Sequence, residues 1–461
     1  MIELTAFKNI PVGVLGLGKS GLVAAQALAR GGAEVMAWDD DAGKRDAAAA
    51  SGVAIVDLRS ADLAAMPSLV LSPGIPHTHP APHPVVARAR AAGAEIIGDI
   101  ELLGRTQRDA AYIGITGTNG KSTTTALIGH ILTLAGRDVA VGGNLGTPAL
   151  SLAPLGAGAA YVLEMSSYQL ELTSSIVFDV AILLNVTPDH LARHGGMEGY
   201  VAAKTRIFRH QSAGDAAVIG VDDAICAGIH GELARGAAQT VIPISAAGPV
   251  AGGVYVAGGA LVDDTRGTAT PILEMAGLAR LPGLHNRQNA AAAYAAVRHV
   301  GVARDAAAAA LHSFPGLAHR QELVATIEGV RYVNDSKATN ADAAAKALAC
   351  YENIYWIAGG LAKEGGIEPL SPYYKRIRHA FLIGEAAPAF AHTLGSQVPH
   401  SRCGELAAAV TAAHDLAMRE RREGAVVLLS PAGASWDQFA NFEERGEVFR
   451  RLVETLPGRR A

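Results

Sequence analysis

Residues 112–125 read Tyr-Ile-Gly-Ile-Thr-Gly-Thr-Asn-Gly-Lys-Ser-Thr-Thr-Thr, and they give the strongest indication of how the middle of the chain folds. An apolar run ends in a glycine-containing loop, and a helix-like run, Ala126 to Leu134, follows. This order predicts a strand, a phosphate-binding loop and a helix, with loop amides and the helix N-terminus facing a nucleoside triphosphate. Lys121 would reach the β- and γ-phosphates, and the Ser122 hydroxyl would bind Mg²⁺.

One position departs from the common pattern of such loops. G-x-x-x-x-G-K-[ST] requires a glycine at position 115, where this chain has Ile115. The shorter form Gly117-Thr-Asn-Gly-Lys-Ser is intact. Since Lys and Ser both stand in register after Gly120, we favour a triphosphate site over a corner whose glycines only make the turn.

Length and composition limit the class of protein. A chain of 461 residues predicts two to four domains, and 50% hydrophobic with 18% charged residues excludes a disordered chain. A net charge of −4 supplies no basic field for nucleic acid, so no nucleic-acid partner is expected.

The same survey predicts a cytoplasmic protein. The N-terminus has no signal-peptide pattern, and no uninterrupted apolar run of about 20 residues predicts a membrane span. The cysteines, Cys226, Cys350 and Cys403, lie far apart and have no metal-binding spacing, which is typical of a reducing compartment.

Strands alternate with helices along the whole chain, and the pattern restarts twice. We therefore predict an α/β protein of three domains: a Rossmann-like domain over 1–99, a central P-loop ATPase-type domain over 100–316 and a Rossmann-like domain over 317–461. Short strands near 217–220, 240–243 and 253–256 are expected to form a smaller sheet.

Gly16-Leu-Gly-Lys-Ser-Gly21 fits the G-x-G-x-x-G pattern between a strand and a helix, and Asp39 ends the next strand. This is a dinucleotide fingerprint and supports an NAD-dependent oxidoreductase. The motif only requires a tight turn with room for a diphosphate beside a helix N-terminus, so a nucleotide-sugar diphosphate fits equally.

Polar residues follow several predicted strands. Glu164 ends an apolar strand, where it would hold Mg²⁺ or serve as a cap or surface residue. His190 follows another strand as a metal or substrate ligand, or as a structural residue, and Lys204 by itself predicts a solvated lysine on a helix. Arg320 is interpreted as a phosphate clamp or a surface charge.

A ligand cleft is predicted at one sheet edge in the last part of the chain. Its residues are Asn334-Asp-Ser-Lys-Ala-Thr339, with the segments at 359–363 and 430–439.

Together these motifs resemble the Mur ligase family of peptidoglycan synthesis, in the right order over the whole chain. Residues 334–340, 430–439 and 441–446 most resemble the family member that adds D-glutamate to UDP-N-acetylmuramoyl-L-alanine. The resemblance implies ATP-dependent amide formation through an acyl phosphate, with two Mg²⁺ sites and a CO₂-derived carbamate on Lys204. It also implies small-molecule substrates, no membrane partner and a monomer.

The resemblance also assigns residues to roles. Catalytic roles fall on Lys121, Glu164, His190, Lys204 and Arg320. The metal ligands are Ser122, Glu164, His190 and carbamoylated Lys204. ATP is bound by Gly117, Thr118, Asn119, Gly120, Lys121, Ser122, Thr123, Asn286, Asn289, Arg320, Asp335 and Lys337. The UDP-sugar is bound by Gly18, Lys19, Ser20, Asp39, Ser72, Asn144 and His190. D-Glutamate is bound by Thr339, Lys363, Ser435 and Phe442.

Rival functions explain less of the sequence. Hydride transfer accounts only for residues 10–40, and a nucleotide-switched binding protein leaves the third cleft unexplained. A folate polyglutamylating ligase does not require the glycine motif ahead of the ATP loop. The segment Asp39-Asp-Asp41 departs from the family pattern, which leaves the uridine contacts open.

Overall fold

A computed structural model describes residues 1–144, 146–236, 238–278, 280–363 and 365–460 of the chain. The chain forms two compact units: Met1–Gly277 with Leu284–Phe314, and Leu278–Gly283 with Pro315–Ala461. Parallel strands alternate with helices in both units, which confirms the predicted α/β class. None of the described helices is long and apolar enough to cross a membrane.

The first unit begins with a four-stranded parallel sheet in the order β2-β1-β3-β4. Its strands are β1 (Pro11–Leu15), β2 (Glu34–Trp38), β3 (Ser68–Leu71) and β4 (Glu95–Ile97). The helices of this region are α1 (Lys19–Arg30), α2 (Ala42–Ala50), α3 (Pro84–Ala91) and α4 (Asp99–Thr106). Strand–helix alternation of this kind produces right-handed crossovers and places every loop after a strand at one edge.

A nine-stranded sheet in the order β13-β12-β11-β10-β9-β8-β5-β7-β6 forms the rest of this unit. Its strands are β5 (Ala111–Thr116), β6 (Val139–Gly143), β7 (Ala160–Glu164), β8 (Val180–Leu183), β9 (Ala216–Gly220), β10 (Thr240–Ser245), β11 (Val254–Ala257), β12 (Ala260–Asp263) and β13 (Thr270–Glu274). Its helices are α5 (Lys121–Leu134), α6 (Ser167–Glu171), α7 (Leu191–His194), α8 (Met197–Thr205), α9 (Ala224–Gly236), α10 (Leu284–His299) and α11 (Arg304–Ser313).

The prediction of a separate smaller sheet is wrong. Strand β9 pairs in parallel with β8, and β10 and β11 continue the same sheet. Strands β12 and β13 complete it as antiparallel additions. Local alternation predicted that these strands exist, but a strand's neighbours depend on long-range pairing that short segments do not encode.

Strand β5 is placed where the order of strands reverses. The chain passes from β5 through α5 to β6 on one side of the sheet, whereas β8 lies on the other side of β5. In an open α/β sheet, the crevice at such a reversal is where ligands bind. Strands β7 and β8, which pair with β5 on either side, are fully buried, as expected for a parallel sheet covered on both faces.

The second unit has a six-stranded sheet in the order β14-β15-β19-β16-β17-β18, antiparallel only between β14 and β15. Its strands are β14 (Glu322–Ile327), β15 (Val330–Asn334), β16 (Ile354–Gly359), β17 (Ile377–Ile383), β18 (His400–Gly404) and β19 (Val426–Leu429). Its helices are α12 (Ala341–Leu348), α13 (Ala387–Leu394), α14 (Leu406–Glu420) and α15 (Phe442–Thr455). The three polar segments of the predicted cleft follow β15, β19 and β16, which are neighbours in this sheet.

Candidate active site

The loop between β5 and α5 has the geometry of a phosphate-binding loop. Gly117 and Gly120 have φ angles of +150° and +87°, a region that favours glycine. A Cβ atom at Gly120 would lie 2.3 Å from Asn289 Oδ1, so the loop has no room for a side chain there. The N-cap residue Gly120 has no side chain to cap the helix, so the N-terminus of α5 and its positive dipole end directly at this loop.

The residue that departs from the common loop pattern belongs to the sheet. Ile115 is fully buried in β5, between Glu164 of β7 and Ile182 of β8. An apolar β-branched side chain suits a buried parallel strand. The loop therefore begins only after Thr116, and the missing glycine removes nothing from the phosphate cradle.

Lys121 and Asn185 shape the loop. Lys121 Nζ donates hydrogen bonds of 2.8 Å to the Gly117 carbonyl and 2.9 Å to the Thr118 carbonyl. Asn185 Oδ1 accepts from the Asn119 amide at 2.9 Å, and Asn185 Nδ2 donates to the Asn119 carbonyl at 3.2 Å. Asn185 has no role in any sequence motif considered above, and the local signal for it is a polar residue just beyond the end of β8. Ser122 and Thr123 are buried in the first turn of α5.

Glu164 ends β7 as a buried carboxylate that neither caps a helix nor faces solvent. Its Oε1 accepts a 2.8 Å hydrogen bond from Asn144 Nδ2, which brings a residue predicted for the UDP-sugar to this carboxylate. Its Oε2 has no hydrogen-bond partner among the described residues. A buried carboxylate oxygen without a hydrogen-bond partner destabilises the fold unless a cation or a donor binds it. Glu164 is therefore suited to be a metal ligand.

Lys204 is buried, at 1% exposure, which contradicts the solvated lysine that its local sequence predicts. Its Nζ donates to the Gly117 carbonyl at 2.9 Å and lies 4.7 Å from the centre of the Tyr200 ring. Burial lowers the pKa of the Lys204 amine well below its ordinary value, and the charge of Lys121 lowers it further. The site therefore favours a neutral, nucleophilic amine.

His190 has a left-handed backbone with a φ of +54° and an exposed side chain. Its ring lies 5.2 Å from that of Tyr168, and its Nε2 lies 3.4 Å from Asp189 Oδ2. Partial burial lowers the pKa of the His190 imidazole, and the Asp189 charge opposes this effect. Among the described residues, no three His, Cys, Asp or Glu side chains converge on a metal position. A Mg²⁺ ion here would therefore depend on phosphate oxygens and Ser122 as well as on Glu164.

The two asparagines predicted for adenine lie buried on α10, next to the phosphate loop. Asn289 Nδ2 donates to Asn286 Oδ1 at 3.0 Å, and Asn289 Oδ1 accepts from Thr124 at 3.3 Å. Both lie within α10. A cavity of about 740 Å³ lies beside the start of α10 and is lined by residues that include Asn185, Asp222, His285 and Gln288.

The glycine motif after β1 opens on a second cavity, of about 520 Å³. The predicted residues Gly18, Lys19, Ser20, Asp39 and Ser72 all line it. Asn144 and His190, predicted for the same ligand, are not among its lining residues.

The acidic residue of the fingerprint accepts hydrogen bonds from the backbone of its own neighbourhood. Asp39 Oδ2 accepts from the Leu17 amide at 2.7 Å, and Asp39 Oδ1 accepts from the Asp41 amide at 2.9 Å. Both oxygens therefore brace the loop while Asp39 still lines the cavity. Asp41 caps α2. Asp40 Oδ2 lies 3.0 Å from His83 Nε2, and both residues line the cavity together with Asp39 and Lys44.

The second unit holds the remaining predicted residues: Arg320, Asp335, Lys337, Thr339, Lys363, Ser435 and Phe442. Asp335 is buried, where Ser430 Oγ donates to its Oδ2 at 2.7 Å and the Gln321 amide donates to its Oδ1 at 3.2 Å. Burial raises the pKa of the Asp335 carboxyl to about 7, although the Ser430 hydrogen bond and the charge of Arg320 act in the opposite direction.

The residues predicted for glutamate lie in loops beyond three adjacent strands and at the start of α15. Lys337 Nζ lies 5.4 Å from the centre of the Phe442 ring. Lys363 is exposed, whereas Ser435 is buried. Leu361 and Ala434 exchange two backbone hydrogen bonds, of 2.8 and 2.9 Å, which join the loop of Lys363 to that of Ser435. Trp436 is 73% exposed and does not fill this cleft.

Three family models match the chain. The Mur ligase MurD-like N-terminal domain matches residues 11–98, the Mur ligase middle domain matches 115–297, and the Mur ligase glutamate ligase domain matches 319–433. These matches confirm three α/β domains.

Curated relatives agree over the full length. The UDP-N-acetylmuramoylalanine--D-glutamate ligase of Rhodospirillum rubrum is 54% identical, with 100% of this chain and 98% of that protein covered. A protein of the same name from Caulobacter sp. (strain K31) is 52% identical over 99% of this chain and 98% of its own length.

Solved structures support the fold. The UDP-N-acetylmuramate-alanine ligase MurC of Thermotoga maritima aligns with a TM-score of 0.57 at 15% identity, over 97% of this chain and 99% of that one. MurF of Acinetobacter baumannii aligns with a TM-score of 0.57 at 18% identity, over 80% and 88%. With three family models in order and relatives more than half identical end to end, this chain belongs to the Mur ligase family.

Proposed function

We propose that this protein joins D-glutamate to UDP-N-acetylmuramoyl-L-alanine in an ATP-dependent ligation of peptidoglycan precursor synthesis. The observation that carries the proposal is the buried Lys204 amine, hydrogen-bonded to the phosphate loop at Gly117. The names of relatives that match the chain end to end supply the substrates. The glycine-motif cavity, the phosphate loop and the strand-edge cleft supply one candidate pocket for each substrate.

The reaction proceeds in two balanced steps. The γ-phosphoryl group passes from ATP to the carboxylate of the alanyl substrate, so that ADP leaves and an acyl phosphate forms. The amine of D-glutamate then attacks the acyl carbon, and a tetrahedral intermediate expels inorganic phosphate as the amine loses a proton. In the first step the anionic carboxylate approaches the anionic γ-phosphate of ATP, so Lys121 and Arg320 serve to offset the repulsion between them.

Bound Mg²⁺ supplies charge neutralisation and orients the phosphoryl oxygens. Ser122 and Glu164 would hold the first ion, and the free Oε2 of Glu164 supports this role. His190 and Lys204 would hold the second, with Lys204 as a carbamate. A neutral amine adds to CO₂ and releases a proton, which converts Lys204 into an anionic oxygen ligand.

The remaining assignments belong to the same proposal. Residues 1–99 bind the UDP-sugar, 100–316 bind ATP and 317–461 bind D-glutamate. Asn286 and Asn289 lie at the adenine, Asp335 at the ribose and Lys337 near the phosphates, while Thr339, Lys363, Ser435 and Phe442 hold the amino acid. The charge of Lys363 matches an acidic substrate. We place the reaction in the cytoplasm, carried out by a monomer.

One assay tests the proposal against its rivals. Phosphate release from ATP is measured with the nucleotide-sugar substrate and with D- or L-glutamate. We expect release that requires both substrates and only D-glutamate. Release without glutamate, preference for L-glutamate, use of a folate, or reduction of NAD would each contradict the proposal.

A further inference from the structure

Arg445 is a buried cation in an unfavourable position. It is 1% exposed and lies in the first turn of α15, close to the positive end of the helix dipole. Burial lowers the pKa of the Arg445 guanidinium to about 10, although the charge of Asp437 opposes this effect, so the group stays charged at neutral pH. Placing a charge there is costly unless its hydrogen bonds are well made.

The guanidinium makes four hydrogen bonds, all to two residues. Its Nε donates to Ser336 Oγ at 3.0 Å, and its Nη2 donates to the Ser336 carbonyl at 2.8 Å. Its Nη1 and Nη2 each donate to the Gly433 carbonyl at 3.2 Å. Ser336 Oγ in turn donates to the Phe442 carbonyl at 2.8 Å. One planar group therefore sets the spacing between the loop after β15 and the loop after β19.

A third loop packs against the same group. Gly360 follows β16 with a φ of +106°, and a Cβ atom there would lie 3.1 Å from Arg445 Nη1. The same Cβ atom would lie 2.2 Å from the Ala434 carbonyl oxygen. The close approach of this loop to the guanidinium therefore requires glycine.

Each segment that meets Arg445 carries one residue of the proposed glutamate cleft. The segment of Ser336 leads to Thr339, that of Gly360 to Lys363 and that of Gly433 to Ser435. Helix α15 itself begins with Phe442. The four side chains proposed to hold the amino acid therefore belong to four backbone segments that all contact the buried guanidinium of Arg445 or carry it.

We propose that Arg445 is a positioning residue for the amino-acid substrate: it holds the three strand-edge loops and the start of α15 at the separation that D-glutamate requires. The inference rests on the proposed function. The planar fork is essential, because a lysine ammonium donates from a single point and does not span the Ser336 and Gly433 carbonyls. Misplacing substrate-binding groups by about 1 Å costs up to about a hundredfold in rate.

The test compares Arg445→Gln and Arg445→Lys with Arg451→Gln, which changes an exposed arginine on the same helix. Michaelis constants for D-glutamate, ATP and the nucleotide-sugar substrate are measured by phosphate release. We expect both Arg445 variants to raise the KM for D-glutamate at least about tenfold while the other two KM values change less than about twofold. The Arg451 variant is expected to match the wild type.

Three outcomes would overturn the inference: an unchanged KM for D-glutamate, full rescue by Arg445→Lys, or an equal rise in all three KM values. If the Arg445 variants do not fold, Ser336→Ala tests the inference instead. This variant removes only the hydroxyl that accepts from Arg445 Nε and donates to the Phe442 carbonyl. That variant is expected to raise the KM for D-glutamate selectively. Failure of the proposed function gives a different result from failure of this inference, because the wild-type enzyme would then release no phosphate in response to D-glutamate.

Discussion

Lys204 Nζ donates a 2.9 Å hydrogen bond to the carbonyl oxygen of Gly117, so a buried amine of α8 contacts the phosphate loop directly. The same amine also donates to Oγ1 of Thr116, the last residue of β5, at 3.4 Å. Because burial favours the neutral amine, Lys204 is chemically suited to react with CO₂, unlike an exposed lysine.

Lys204→Ala is expected to lower kcat at least about a hundredfold, because the proposed anionic ligand of the second Mg²⁺ is lost. Phosphate release at saturating Mg²⁺, without added carboxylate, measures this. Isotopically labelled CO₂ should give a carbamate NMR signal in the wild type that Lys204→Ala lacks. Lys8→Ala, at an exposed lysine, should keep both signal and activity. Full activity of Lys204→Ala would refute the carbamate.

Gly120→Ala is expected to raise the KM for ATP at least about tenfold, because the added methyl group meets Asn289 Oδ1 and the residue has a positive φ. Gly136→Ala is the matched control at the other end of α5. Gly136 has a φ of +75° but open space around a Cβ atom, so this change should cost only about 1 kcal/mol of stability and leave the KM for ATP unchanged. Equal effects of the two changes would show that backbone strain alone explains the result.

Glu171→Gln is expected to lower the free energy of unfolding at pH 7 by about 1–3 kcal/mol. Glu171 lies 3.1 Å from both His77 Nε2 and His194 Nδ1, and so joins the loop after β3 to α7. Burial alone would raise the pKa of Glu171, but hydrogen bonds with His194 and His77 lower it to about 2.

The stability lost through Glu171→Gln should depend on pH and decrease as pH falls. A carboxyl whose pKa is lowered by folding contributes stability above its ordinary pKa and loses it as pH falls toward the folded value. The difference between wild type and Glu171→Gln, measured by urea unfolding, should therefore shrink below about pH 4. Glu198→Gln, at an exposed glutamate on α8, is the control. A difference that stays constant as pH falls would contradict this account.

Asp99→Asn is expected to change stability in the opposite direction from Glu171→Gln, raising the free energy of unfolding at pH 7 by about 1–3 kcal/mol. Burial raises the pKa of the Asp99 carboxyl to about 6, and its Oδ2 has no hydrogen-bond partner among the described residues. A carboxyl with a raised pKa loses stability as pH rises through the folded value, so the gain should vanish below about pH 4. Urea unfolding measures it, with Asp109→Asn at an exposed position as the control. A loss of stability at pH 7 would contradict the prediction.

Much of the fold follows from local pattern. The apolar run predicted a strand at 112–115, and β5 spans Ala111–Thr116; the polar segment after residue 334 lies at the carboxyl edge, as strand–helix alternation requires. Patterning alone did not identify Asn185, which ties the phosphate loop, or Arg445, which joins loops more than 90 residues apart in sequence. Their partners are distant in the chain, so no periodicity signals them.

Hydrophobic periodicity and turn chemistry between neighbouring residues were enough to predict the α/β class, the glycine loop before α5 and the glycine motif after β1. Three further features became visible only in the folded chain: the strands at 216–220, 240–245 and 254–257 extend the central sheet, Lys204 is buried, and both oxygens of Asp39 brace a loop. Strand partners, burial and the pKa shifts that burial causes come from contacts between segments far apart in the chain.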